Sequence, residues 1–179
     1  LANVLVTNGF IEPEPAAELL PWVDALNIDI KSMEEDFYRQ HCKGALQPVL
    51  NFCIQARKAG CHLEITNLVI PSLNDRLDLF TILAEWIRAH LGPETPLHLS
   101  AYHPDYQCDL PPTPNAQLEK AYELCKQKLS YVYLGNISSG PGQNTSCPQC
   151  GEALIQRRGY TTRIANLENG ACKRCHRKA

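Results

Sequence analysis

The chain has 179 residues, a formal net charge of −2 and 44% hydrophobic residues, which suits one good core with a small appendage. No stretch is apolar enough to span a bilayer, so a membrane-embedded class is excluded, and the opening LANVLVTNGF carries no secretory n-region. It also lacks a starting Met and begins directly on a strand-like run, which predicts a fragment of a longer protein.

The charge is unevenly placed. Residues 1–144 hold 10 Lys+Arg against 17 Asp+Glu, and residues 145–179 hold 7 against 2, so the body is −7 and the tail +5. Four thiolates on one zinc would bring that tail to about +3, a weak case for a nucleic-acid partner. Nine cysteines without a signal peptide predict thiols or metal ligands in a reducing compartment, the cytosol, rather than disulfides.

In chain order, Asn3 to Thr7 reads as a short strand broken by the turn-forming pair Asn8-Gly9. A helix is predicted over Pro13 to Leu20, with proline at its start where a missing N–H costs nothing. The stretch Ala25 to Lys31, ALNIDIK, alternates with period two, placing Leu26, Ile28 and Ile30 on one face and Asn27, Asp29 and Lys31 on the other. In a parallel barrel that polar face points inward, and Asp29 and Lys31 stand at the C-terminal end of the strand, where such folds bind ligands. The alternative is an edge strand with a solvated salt bridge.

Ser32 and Glu35 have capping-box spacing for a helix over Met33 to Cys42, closed by Gly44. Apolar residues recur at helical spacing from Leu46 to Ala59, and His62 to Ile70 alternates as a strand. The SLND loop offers Asn74 or Asp75 as cap for a helix over Leu77 to His90. A strand over Leu97 to Ala101, a helix over Asn115 to Lys128 and a strand over Tyr131 to Leu134 complete the pattern. Five strands alternating with helices predict α/β architecture built from parallel βαβ units. Residues 137–144 are rich in Gly and Ser and read as a linker between a body, 1–136, and a tail, 145–179.

The sharpest motif is Cys147-Pro-Gln-Cys150-Gly with Cys172-Lys-Arg-Cys175, two CxxC knuckles separated by 21 residues. Four thiolates so spaced suit one tetrahedral ion and predict a zinc ribbon, with iron as the alternative metal. Four thiolates fill the shell, so the role is structural, and His176 is expected on the surface. Cys42, Cys53, Cys61, Cys108 and Cys125 have no short spacing and read as small buried apolar residues. If the sheet is parallel, Thr7, Asn8, Asp29, Lys31, Thr66, Asn67, His103 and Asn136 converge on one mouth able to hold a ribose and an amino-acid zwitterion.

Taken together, TNGF at Thr7 to Phe10, NIDIKS at Asn27 to Ser32, TNLVIPSLND at Thr66 to Asp75, HLSAYHPDY at His98 to Tyr106, YVYLGN at Tyr131 to Asn136 and NTSCPQCG at Asn144 to Gly151 closely resemble the AmmeMemoRadiSam system radical SAM enzymes. These are relatives of the pyruvate formate-lyase activating enzymes. The resemblance implies the C-terminal strands of a partial parallel (β/α) radical-SAM-type barrel, followed by the ribbon. It implies a 4Fe–4S cluster, S-adenosylmethionine and hydrogen abstraction by a 5′-deoxyadenosyl radical. It also implies that Asp29, Lys31 and His103 lie against S-adenosylmethionine, with Thr7 and Asn8 of the TNG turn close by.

There are departures. An Arg of the activating enzymes falls at Thr66, and the Asp before their TNG turn falls at Val6. The cluster motif CxxxCxxC does not occur in this sequence, and the resemblance places it upstream, so this chain alone is expected to be inactive. The substrate, a protein among the candidates, is not encoded here; AMMECR1-like and Memo-like proteins are partners only by association with the family name. A rival reading is a binding module whose basic ribbon grips nucleic acid or protein. Against it, the tail's basic residues have only Tyr160 as an interleaved aromatic, and the acidic body repels phosphates.

Overall fold

A computed structural model describes residues 1–138, 140–159 and 161–178; Tyr160, the aromatic expected among the tail's basic residues, lies outside them. The body is one sheet of five parallel strands, β1 (Val4–Thr7), β2 (Ala25–Asp29), β3 (His62–Val69), β4 (Leu97–Ala101) and β5 (Val132–Gly135), lying side by side in chain order. Between them run α1 (Pro13–Leu19), α2 (Glu35–Phe37), α3 (Leu46–Lys58), α4 (Leu77–His90) and α5 (Asn115–Lys126). The α/β expectation is met. No helix of the described residues is long and apolar enough to cross a membrane.

The period-two pattern decides which face the helices cover. Leu26, Ile28, Leu63, Ile65, Leu97, Leu99, Val132 and Leu134 are buried, and they share one core with Val49 and Phe52 of α3, Phe80 and Ile87 of α4, and Leu118 and Ala121 of α5. Full burial of each large aliphatic side chain contributes about 1.5–3 kcal/mol, so this side holds the fold together. The alternate residues, Asn27, Asp29, Glu64, Thr66, His98 and Tyr133, are only half-buried on the opposite face. Register aligns Asp29, Thr66, His98 and Tyr133 in one row across four strands.

Two local expectations change. The segment after β2 is not a helix over 33–42 but one turn, Glu35–Phe37, running into a π-turn at Tyr38–Cys42, with Lys43 left-handed at φ 54°. Ser32 Oγ accepts from Glu34 N–H, while the Glu35 carboxylate reaches forward to the Leu46 N–H at the start of α3, so the capping box does not form. Similarly α4 starts without a side-chain cap, its first flanking residue being Arg76, because Asn74 is engaged elsewhere.

The tail folds as a three-stranded antiparallel sheet, β6 (Thr145–Ser146), β7 (Ala153–Arg158) and β8 (Thr161–Ile164), and a small pair, β9 (Leu167–Glu168) with β10 (Ala171–Cys172). Part of the Gly/Ser-rich connection lies along β5: Leu134 N–H donates to the Gly142 carbonyl, and Gln143 Nε2 donates to the Leu134 carbonyl. Gly142 has φ +71°, and a Cβ there would meet Leu134 N and Tyr122 at 3.0 Å, so a glycine is required. The Arg157 guanidinium lies 5.5 Å over the Tyr133 ring, and Tyr133 Oη is 2.8 Å from Thr145 Oγ1. Arg177 pairs with Glu94, tying the far end of the tail to the loop before β4.

Candidate functional site

At the C-terminal end of β2 the chain passes from Asp29 through Ile30 to Lys31, and their side chains pair at 2.5 Å, each about one-third exposed. The pair that sequence periodicity marked is therefore formed, on the half-buried face and not fully in solvent. What holds it is less visible in sequence. Lys31 N–H donates to Tyr38 Oη at 3.0 Å, and the Lys31 carbonyl accepts from Asn67 Nδ2 at 3.1 Å and Asn74 Nδ2 at 2.6 Å. Both backbone groups of Lys31 are thus fixed by side chains of other elements. The Tyr38 hydroxyl keeps its proton, burial being the main cause.

Asn74 and Tyr38 are supports of the Lys31 backbone that the sequence reading missed. Asn74 is 2% exposed, donates also to the Leu68 carbonyl and accepts from Ile70 N–H, bridging the end of β3 to the end of β2. Asn67, expected at the mouth, lies on the helix side at 3% exposure and donates to the Ile30 and Lys31 carbonyls. Its place is explained by strand alternation, because Ile65, Asn67 and Val69 share one face.

The other expected residues fall into separate groups. Thr7 Oγ1 accepts from Gly9 N–H and Asn8 Oδ1 from Phe10 N–H, so both shape the turn after β1. Thr66 Oγ1 donates to Asn27 Oδ1 at 2.7 Å. His103 Nε2 lies 3.1 Å from the Asn136 carbonyl, and Asn136 Nδ2 donates to the Ala101 carbonyl, which makes a second group beyond β4 and β5. Asn8 and Lys31 line one cavity at the β1–β2 end, while His103 and Asn136 pair two strands away, with Thr66 on β3 between. All of these except Thr66, within β3, sit at or beyond the C-terminal ends of their strands.

On the same face, His98 Nε2–H donates to Glu64 at 2.8 Å and His62 lies 3.5 Å from the same carboxylate. The hydrogen bond from His98 is the main reason that Glu64 titrates below its usual 4.5, with burial opposing it and His62 adding to it. A lowered folded pKa stabilises the fold above the unfolded value, and that contribution is lost as pH falls below 4.5 through the folded value. Comparing urea midpoints at neutral pH and near the glutamate range should therefore show a smaller acid loss in Glu64→Gln than in the native chain. Equal losses in the two proteins would contradict this.

In the tail, Cys147, Cys150, Cys172 and Cys175 bring their sulfurs within 4.8 Å of one another. Gly151 at φ +73° and His176 at φ +60° occupy the same place after the second cysteine of each knuckle, and each N–H returns to the first cysteine's carbonyl. Burial raises the Cys147 thiol, but N–H groups of Cys150 and Gln149 with the Cys175 thiol bring it down to about 7. Such a donor set fits one tetrahedral metal ion. It does not fit a cluster that must leave one iron open, and among the described residues no other group of three or more His, Cys, Asp or Glu side chains is placed to hold a metal. Cys53, Cys61 and Cys125 are buried as expected, and burial pushes Cys53 and Cys125 up to about 12. Cys42 is instead exposed and Cys108 half-buried.

No family model matches the chain. Among curated proteins it is 48% identical over 180 residues to the uncharacterized protein MJ0808 of Methanocaldococcus jannaschii, covering 98% of this chain and 53% of that one. The chain thus spans about half the length of the curated relative it matches. Among solved structures, a domain of pyruvate-formate lyase-activating enzyme from Bacteroides vulgatus superposes with TM-score 0.66 at 16% identity, over 76% of this chain and 82% of that one. A radical SAM methyltransferase from Sphaerobacter thermophilus gives 0.59 at 15% identity, over 78% and 43%. TYW1 with a bound lysine-pyruvate adduct gives 0.52 at 18% identity, over 74% and 42%. At these identities the likeness is one of fold, and the fold is that of radical SAM enzyme domains.

Proposed function

We propose that the chain is the C-terminal portion of a radical S-adenosylmethionine enzyme of the AmmeMemoRadiSam type, a partial barrel followed by a zinc ribbon. One observation carries the reading: a parallel sheet with the fold of activating-enzyme domains presents Asp29, Lys31, Asn8 and His103 at the ends of its strands. In that reading the cluster ligands belong to another part of a longer protein, in keeping with a relative about twice as long. When bound, S-adenosylmethionine on a reduced 4Fe–4S cluster supplies a 5′-deoxyadenosyl radical.

The residues of this chain would bind and orient. Asp29 accepts from hydroxyl or ammonium groups, Lys31 neutralises a carboxylate, and His103 and Asn8 offer further polar contacts at either end of the mouth. The three side-chain bonds to the Lys31 backbone fix the point from which its side chain reaches a ligand. The four cysteines hold zinc in a structural role. The unknown substrate, and AMMECR1-like or Memo-like partners, belong to the whole protein.

The test is metal and sulfide analysis of this chain beside a longer protein carrying its upstream sequence, reconstituted anaerobically. About one zinc and no iron in the chain, with about four irons and cleavage of S-adenosylmethionine in the longer protein, is the expected result. Zinc alone in both would overturn it and leave the basic-ribbon binding module as the better account.

A further inference from the structure

Where the turn after β1, the end of β2 and the π-turn meet, the fold encloses a cavity of about 290 Å³. Its lining includes Asn8, Phe10, Lys31, Cys42, Lys43 and Gly44, and it contains two lysines and no carboxylate. Lys31 Nζ is paired with the Asp29 carboxylate, and the other two donors are free to act. Asn8 commits its amide oxygen to Phe10 N–H, which leaves its NH₂ group to donate, and the one bond from Lys43 Nζ, to the Gln40 carbonyl, uses one of three N–H donors. Phe10 is 51% exposed and its ring lies against Gly44, where a Cβ would come within 3.2 Å of it.

The walls are also built from unusual backbone. A π-turn at Tyr38–Cys42 and a non-glycine left-handed residue, Lys43 at φ 54°, each cost free energy that a plain helix would not, and both features concentrate at functional sites. They bring Cys42 and Lys43 to the lining of the cavity that Asn8 and Lys31 also line. Cys42 lies close enough to Lys31 for that ammonium group to lower its thiol pKa, though burial prevails.

We propose that this cavity is a binding site for a small organic oxyanion, a carboxylate or a phosphate, held by Lys43, Lys31 and Asn8 with its apolar part against Phe10. Cavity size favours a compact ligand, since it lies at the lower end of the range for small-molecule sites. The pairing of Lys31 with Asp29 places such a ligand directly beside the mouth at the end of β2. The site stands on this geometry alone, and its test reads binding without needing radical chemistry.

Cys42 supplies the reporter. Its alkylation by anionic iodoacetate and by neutral iodoacetamide is followed by mass spectrometry of the Cys42 peptide in the whole chain. Lys43→Asn removes the charge while keeping a residue that tolerates the left-handed backbone. The expected result is an iodoacetate to iodoacetamide rate ratio about threefold lower in the variant, because both reagents need the same thiolate and only iodoacetate carries a charge for Lys43 to attract. Benzoate and phenyl phosphate are then added at millimolar concentration, and the one that slows alkylation by iodoacetamide identifies the anion. A ratio unmoved by Lys43→Asn, or protection by neither anion, overturns the proposal.

Discussion

Replacing Asn74 by alanine is expected to lower the folding stability by about 3 kcal/mol, a large share of the margin of an ordinary domain. The residue is almost completely buried, and its amide makes three hydrogen bonds, to the Lys31 and Leu68 carbonyls and from the Ile70 N–H. Truncation takes this partner from the Leu68 carbonyl and the Ile70 N–H and leaves the Lys31 carbonyl with Asn67 alone, in a place that water does not easily reach. The cost of an unsatisfied buried polar group, about 1–3 kcal/mol each before relaxation, therefore outweighs the small cavity created. Asn74→Asp is expected to be no better, because a carboxylate keeps the acceptor but faces two carbonyl oxygens with no donor. Urea unfolding of the two variants measures this, and a loss under about 1 kcal/mol in Asn74→Ala would show that the amide is not the bridge described. The same substitution should loosen Lys31, visible as broadening of its backbone amide signal.

Chelation of the metal proposed for the four tail cysteines should have the largest effect of all, and a confined one. The buried core of the tail consists of Cys147, Leu154 and Cys172, with Cys150, Ile155, Leu167 and Cys175 packed against it, so four of its seven members are the proposed ligands. Leu154, Ile155 and Leu167 cannot by themselves offset the ordering of that segment, whereas structural zinc binding contributes about 10–16 kcal/mol. Cys172→Ser, or an excess of a strong chelator, is expected to abolish hydrogen-exchange protection across β7 and β8 while β2, β3 and β4 keep theirs. The body should respond only where the tail touches it, at Tyr133 and Glu94. Persistent protection of β7 and β8 after complete metal loss would refute a metal-dependent tail.

The residues explain which features could be read from the sequence. Period-two alternation in ALNIDIK and HLEITNLV assigned the buried and polar faces, because the preference for one face is a property of neighbouring residues. The strand Leu97–Ala101 and the helix Leu77–His90 have the bounds that pattern predicts. The paired CxxC spacing brought four sulfurs together, since within each knuckle the geometry is local. What escaped is set by distant partners. Glu35 stands three residues after Ser32, as in a capping box, but its carboxylate is taken by Leu46 N–H, eleven residues on. Asn74 looks like a helix cap and is drawn instead to the Lys31 carbonyl, 43 residues earlier in the chain. Glycine and serine content marks the connection after β5 as flexible, yet its later residues are bonded to Leu134.

The sequential strand order has a consequence for how the protein is made. Since β1 to β5 lie side by side in the order of synthesis, each strand that leaves the ribosome finds its neighbour already present, one helix back. No strand must be threaded between two others that were made earlier. Nascent chain ending after α3, α4 or α5 is therefore expected to hold a smaller sheet of the same register, growing at one edge. The four cysteines emerge after the five strands, when the surface carrying Tyr133 and Glu94 is already built to receive them.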